Sequence, residues 1–195
     1  MLYNISRNLI EKVFGKEDSN IDNYIYGLEL FISSIAGTVL LLVIGIILNA
    51  VVESALFIVG FSTLRIFCGG FHSRSFVLCN IITIFNFGAV ITVYRCFYYI
   101  LVSPFVFVFI FVLSFIITML CAPVINSNNP INDAVCQKCK IKSMIIIALD
   151  AILFVVLLFV LEKPQIAIII PTLFSVDVFM IIPILKPRRK KNEKL

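Results

Sequence analysis

The chain has 195 residues, 61% of them apolar and only 14% charged, with a mean hydropathy of +1.10. A soluble domain carries about 25% charged residues, and too little polar surface remains here to cover a water-soluble core. Composition thus excludes a soluble enzyme, a disordered chain and a disulfide scaffold. It predicts an all-α polytopic membrane protein, one integral membrane domain spanning 1–195.

In chain order, residues 1–27 come first. Leu2, Ile5, Leu9, Ile10, Val13 and Phe14 recur at helical spacing among Arg7, Glu11, Lys12, Lys16 and Glu17. There is no long apolar core, so this is not a signal peptide. It predicts an N-terminal amphipathic helix lying on the membrane surface. A helix needs about 20 apolar residues to span the hydrocarbon. Six segments approach that length: 28–48, 51–66, 77–95, 98–121, 143–161 and 165–185. The second is short and carries Glu53 at its start. Ala122–Lys142 reads as a polar loop. The final stretch, 186–195, holds Lys186, Arg188, Arg189, Lys190, Lys191 and Lys194 against Glu193, and so accounts for the whole net charge of +5. A basic block beside an apolar segment anchors topology and attracts anionic membrane lipid. Nucleic acid is not an expected partner, because no folded basic surface accompanies it.

Six spans put both termini on one side. That side receives 14 of the 16 lysines and arginines, and the other receives only Arg95 and Lys163. The positive-inside rule then predicts a multi-pass protein with both termini in the cytoplasm. A four-span arrangement with re-entrant segments keeps the same sidedness. Six cysteines in or beside apolar segments suit reduced thiols on the cytoplasmic side better than a disulfide framework.

The candidate chemistry lies between the second and third segments. Arg65-Ile-Phe-Cys68-Gly69-Gly70-Phe71-His72-Ser73-Arg74-Ser75 contains the chain's single histidine, and Cys79 follows at the start of the next apolar run. A thiol becomes a nucleophile when a base takes its proton and positive potential holds the thiolate. His72 can be that base. If Ser73 or Ser75 caps the third segment, Cys79 falls in its first or second turn, where free N–H groups and the helix dipole favour an anion. Arg65 and Arg74 add charge nearby. Seven residues along a continuous helix rise about 10 Å, too far for a thiol–imidazole hydrogen bond. His72 must therefore sit before the helix, on a loop that the glycine pair allows to fold back. The competing reading is a solvated histidine and an incidental thiol.

The run Arg65-x-x-x-Gly69-Gly70-x-His72-x-x-x-x-x-x-Cys79 resembles the signature of the accessory gene regulator protein B (AgrB) family, bacterial membrane cysteine endopeptidases of peptide quorum sensing. Chain length, the amphipathic start, the order of apolar segments and the Ala122-Pro123…Asn129-Pro130-Ile131 loop followed by lysines resemble it too. The resemblance implies Cys79 as nucleophile, His72 as base, and supporting roles for Arg65 and Gly70. It implies a bacterial cell-membrane location and a small AgrD-like precursor peptide as substrate. The enzyme cysteine would hold the cut carboxyl as a thioester, and a Cys or Ser of the precursor would attack it, closing a thiolactone or lactone ring.

Three other features need a reading. Asp150 and Asp177 lie within the last two segments, roughly 10–12 Å deep. They read first as helix–helix polar contacts; they could also face each other, pair with Arg65 or orient His72. Cys136-x-x-Cys139 is one pair without a second, and zinc takes four ligands, so no metal and no cofactor are expected. Lys138, Lys140 and Lys142 are candidate substrate-binding residues for an acidic precursor segment, against a purely topological role. Membrane lipid and a second copy of the chain are further candidate partners. The alternative to an enzyme is a small-peptide transporter with Asp150 and Asp177 lining its path; no inverted repeat supports it.

Overall fold

The computed structural model describes residues 2–14, 21–69, 76–124, 133–160 and 164–185. They form eight α-helices: α1 Leu2–Phe14, α2 Ile21–Ile47, α3 Val51–Cys68, α4 Phe76–Cys96, α5 Tyr98–Leu101, α6 Pro104–Cys121, α7 Asp133–Val155 and α8 Ile169–Leu185. A π-helical turn, Val156–Val160, extends α7, and a 3-10 turn, Pro164–Ile168, leads into α8. No strand occurs among the described residues.

Six helical stretches are long and apolar enough to cross a membrane: Ile21–Ile47, Val51–Cys68, Phe76–Cys96, Pro104–Cys121, Cys136–Leu158 and Gln165–Leu185. The count matches the sequence expectation, including the short second segment. Its 18 residues span about 27 Å, close to the thickness of the hydrocarbon. Glu53 sits in its first turn, where the helix dipole favours an acid.

Three boundaries differ from the expected ones. The fourth span starts at Pro104, because Pro104 holds Ser103 extended (φ −66°, ψ 131°) and isolates α5 as a single turn. The first span begins at Ile21 and α7 at Asp133, so residues 133–142 are helical and the expected loop Ala122–Lys142 is too long. The cause is the same in both cases. Charge marks where the membrane begins, but residues such as Lys138, Gln137 and Asp22 do not stop a helix, and neither stretch holds a proline.

Packing is organised around α8, most of which is buried. It contacts α3, α4 and α6, while α3 also packs on α2 and α7. The inward stripe of α7 is Ser143, Ile147, Asp150 and Phe154, at helical spacing. Phe154 stacks on Phe107 of α6 at 4.3 Å, and Phe57 of α3 lies 5.1 Å from both Phe61 and Phe87. Gly45 permits the close approach of α2 and α3: a Cβ there would stand 2.7 Å from Ser54 Cβ. The outward faces carry Phe85, Phe105 and Leu120, each more than three-quarters exposed. Such a surface is stable against lipid and costly against water.

The two ends of the bundle differ. At one end Arg95 donates to the Leu48 carbonyl at 2.5 Å, satisfying an oxygen that α2 leaves free as it ends. The other end gathers the start of α2, the end of α3, the start of α4, the end of α6 and the start of α7. Beside it α1 packs along α2, with Ser6 buried and Ile5 and Leu9 exposed. Its polar side carries the Arg7–Glu11 pair at 2.6 Å.

Candidate functional site

Cys79 is the fourth residue of α4 and so lies in its first turn. That start is fastened to α2. Asn80 Nδ2 donates to the carbonyl and the hydroxyl of Ser33, each at 3.2 Å, and Phe76 packs its ring 5.8 Å from Tyr26. The first turn of a helix offers unpaired N–H groups and positive potential, which favour a thiolate over a thiol. Cys79 is half-buried, reachable from the end of the bundle yet partly screened from water.

The candidate cation of the site is Arg65. Arg65 sits in the last turn of α3, half-buried, with its guanidinium 5.1 Å above the Phe179 ring of α8. No carboxylate of the described residues forms an ion pair with it. A half-buried cation without an acidic partner is costly unless other groups compensate it. Here the aromatic face of Phe179 lies against it, and the Gly69 carbonyl stands 3.5 Å from Nη1.

Cys68 is a different kind of cysteine. It is fully buried beside the hydroxyls of Thr118 and Ser143, whereas Cys79 is accessible. Burial without an entry path makes a structural thiol and not a nucleophile. Directly after it, Gly69 adopts φ 69° and ψ −138°, a conformation open to glycine alone. A Cβ there would also meet the Val124 carbonyl oxygen at 2.7 Å. Gly69 and Val124 pair as an isolated parallel bridge, with Val124 N–H donating to the Cys68 carbonyl at 2.9 Å. The glycine pair was expected to allow a sharp turn, and Gly69 makes it. Gly70 and His72 lie outside the described residues.

The three lysines do not form one patch. They are on α7, where Lys138 and Lys142 are one turn apart and Lys140 points elsewhere. Lys142 Nζ stands 5.3 Å over the ring of Phe67, beside the end of α3. Lys138 is exposed and Lys140 half-buried. Of the intramembrane acids, Asp177 accepts a hydrogen bond from Ser114 of α6 at 2.6 Å, the helix–helix contact expected of it. Asp150 is buried with Oδ2 unpartnered, and neither acid forms an ion pair with Arg65. Asn86 likewise bridges helices, donating to Ser175 of α8 at 3.2 Å. No group of three His, Cys, Asp or Glu side chains that could hold a metal gathers among the described residues.

Sequence reasoning missed Val124, Phe179 and Ser33. Each is an unremarkable residue type whose role comes from a helix distant in sequence, and no local signal marks it. Compared with curated proteins and with solved structures, the chain has no match. Against protein families it does: the Accessory gene regulator B family model covers residues 3–184. Nearly the whole chain is matched, so this multi-pass membrane protein belongs to the accessory gene regulator B family and has its role in the processing of quorum-sensing peptides.

Proposed function

We propose that the chain is a membrane cysteine endopeptidase that cuts a small AgrD-like precursor and helps to cyclise it. The observation that carries the reading is the placement of Cys79, half-buried yet accessible in the first turn of α4, the helix that follows the Arg65-bearing end of α3. His72 takes the thiol proton, and the Cys79 thiolate attacks the scissile carbonyl. The C–N bond breaks, the leaving amine takes the proton from His72, and a thioester remains on Cys79. A Cys or Ser of the precursor then gives its proton to His72 and attacks that thioester, and the departing Cys79 thiolate takes the proton back. The ring closes as a thiolactone or lactone, and Cys79 is released. Acyl transfer to an internal nucleophile outruns hydrolysis only where the peptide is held and water is excluded. A half-buried thiol at a membrane end suits both needs.

In this reading Arg65 stabilises the thiolate and Gly70 shapes the turn before His72. Lys138, Lys140 and Lys142 attract the acidic part of the precursor. Helix α1 lies in the membrane interface with Ile5 and Leu9 toward the acyl chains. The end bearing Cys79 faces the cytoplasm, together with both termini, a reading supported by the 14-to-2 distribution of basic residues.

The test is cleavage of precursor by full-length protein in vesicles. Cys79→Ala and His72→Ala should each abolish cleavage with membrane insertion intact, and replacement of Cys96, Cys121, Cys136 and Cys139 should leave it. Cleavage by Cys79→Ala would refute the assignment. Sidedness is read separately: labelling of Cys136 or Cys139 by an impermeant thiol reagent in intact cells would overturn the orientation.

A further inference from the structure

We propose that Val124 is a positioning residue, whose backbone N–H clasps the end of α3 and fixes the direction in which the chain leaves Gly69 toward His72. The inference rests on the reading of His72 as the base for Cys79.

A helix end leaves its last carbonyls without partners. Gly69 N–H satisfies the Arg65 carbonyl at 3.2 Å in the ordinary helical way. The Cys68 carbonyl instead receives Val124 N–H at 2.9 Å, from the segment that follows α6. The end of α3 is thus tied to the segment that leaves α6, remote in the chain. Two further holds act on the same point. The Cys68 side chain is fully buried beside Thr118 of α6 and Ser143 of α7, and Arg65 Nη1 lies 3.5 Å from the Gly69 carbonyl.

The turn and the clasp depend on each other. Gly69 can approach Val124 only because it has no Cβ, which would stand 2.7 Å from the Val124 carbonyl oxygen. Its φ of 69° also sends the chain out of the helix in a direction no other residue adopts readily. Residues 70–75 must span from this point to Phe76, where α4 begins and Asn80 is already fastened to Ser33. Both anchors of the segment are therefore fixed, one by Val124 and one by Ser33. A general base must meet its thiol within hydrogen-bond reach, and a misplacement of about 1 Å costs about a hundredfold in rate. Nothing in the chemistry uses the Val124 side chain; the clasp is its N–H.

The experiment compares Val124→Pro, which removes the N–H, with Val124→Ala, the conservative variant that keeps it. Both are measured as full-length protein in vesicles with precursor peptide. Val124→Pro should lower kcat about tenfold or more with KM nearly unchanged, and should change the pH dependence of Cys79 alkylation as His72→Ala does. Val124→Ala should restore the wild-type values. Equal losses in both variants, or a wild-type kcat in Val124→Pro, would overturn the clasp. The wild-type protein supplies an independent reading, because the Val124 amide should be protected from hydrogen exchange; exchange at the rate of a free peptide would overturn it without any variant. If His72→Ala still cleaves, the base assignment fails, and the proline–alanine contrast in kcat still judges the clasp.

Discussion

Ser114 donates a hydrogen bond of 2.6 Å to Asp177 Oδ2, joining α6 to α8 at the centre of the bundle. Both side chains are buried, and α8 is the helix around which the others pack. An acid at this depth is costly unless it is hydrogen-bonded. The pair is read as a structural tie and not as part of a transport path. Asp177→Asn keeps an acceptor oxygen and should be tolerated. Ser114→Ala strands the acid and should cost about 0.6–2 kcal/mol. Thermal unfolding in detergent checks both, and precursor cleavage at low temperature should persist in each. Loss of cleavage in a folded, inserted Asp177→Asn protein would instead give that carboxyl a functional role.

Arg65 should act on the reactivity of Cys79 more than on precursor binding. The ring of Phe179, 5.1 Å below, holds the guanidinium in place, and the proposed task of its charge is to stabilise the Cys79 thiolate. Arg65→Gln should therefore slow alkylation of Cys79 at neutral pH by about tenfold, which corresponds to about 1.4 kcal/mol of lost stabilisation. The KM for the precursor should change little, because the cation is assigned to the thiol and not to the peptide. Arg65→Lys should recover part of the rate, since a flexible ammonium matches the charge but not the planar stack. An alkylation rate unchanged in Arg65→Gln would remove Arg65 from the site.

Much of this was readable in the amino-acid sequence, and the unreadable part has a common cause. Six spans, the sharp turn at Gly69 and the placement of Cys79 in the first turn of a helix follow from hydropathy, glycine chemistry and spacing. The start of α7 did not follow, because a polar stretch such as 133–142 can be loop or helix, and hydropathy reports only its distance from the membrane. The partners of the site were hidden as well. Val124 meets Gly69, Ser33 meets Asn80, and Phe179 lies under Arg65 through contacts between helices remote in the chain. Such contacts are set by packing of the whole bundle, which no local pattern encodes.

The helical position of the lysines refines what their removal should do. Lys138 and Lys142 share one side of α7, and Lys142 stands beside Phe67 near the end of α3. If they attract an acidic precursor segment, neutralising this pair should raise KM several-fold, and Lys140→Gln should do less. Exposed charge pairs are each worth about 0–1 kcal/mol, so no single replacement should be decisive. Screening acts over about 8 Å at physiological salt. Raising ionic strength in neutral-lipid vesicles should reproduce the KM effect in the wild type and leave kcat nearly unchanged. An unchanged KM and salt response in the correctly inserted double variant would reduce these lysines to topology anchors.

The central claim is that Cys79 carries the precursor as a thioester, and covalent capture tests it most directly. A precursor whose internal Cys or Ser is replaced by Ala can be cut but cannot close its ring. Incubated with the full-length protein in vesicles, it should leave an acyl adduct whose mass equals the enzyme plus the free N-terminal fragment of the precursor less one water. Peptide mapping should place the adduct on Cys79, and neutral hydroxylamine should release it. Cys79→Ala should form none, and His72→Ala should form it at least about a hundredfold more slowly, the general range of a lost general base. An adduct on any of the other five cysteines, or cleavage of the blocked precursor with no adduct at all, would contradict the account.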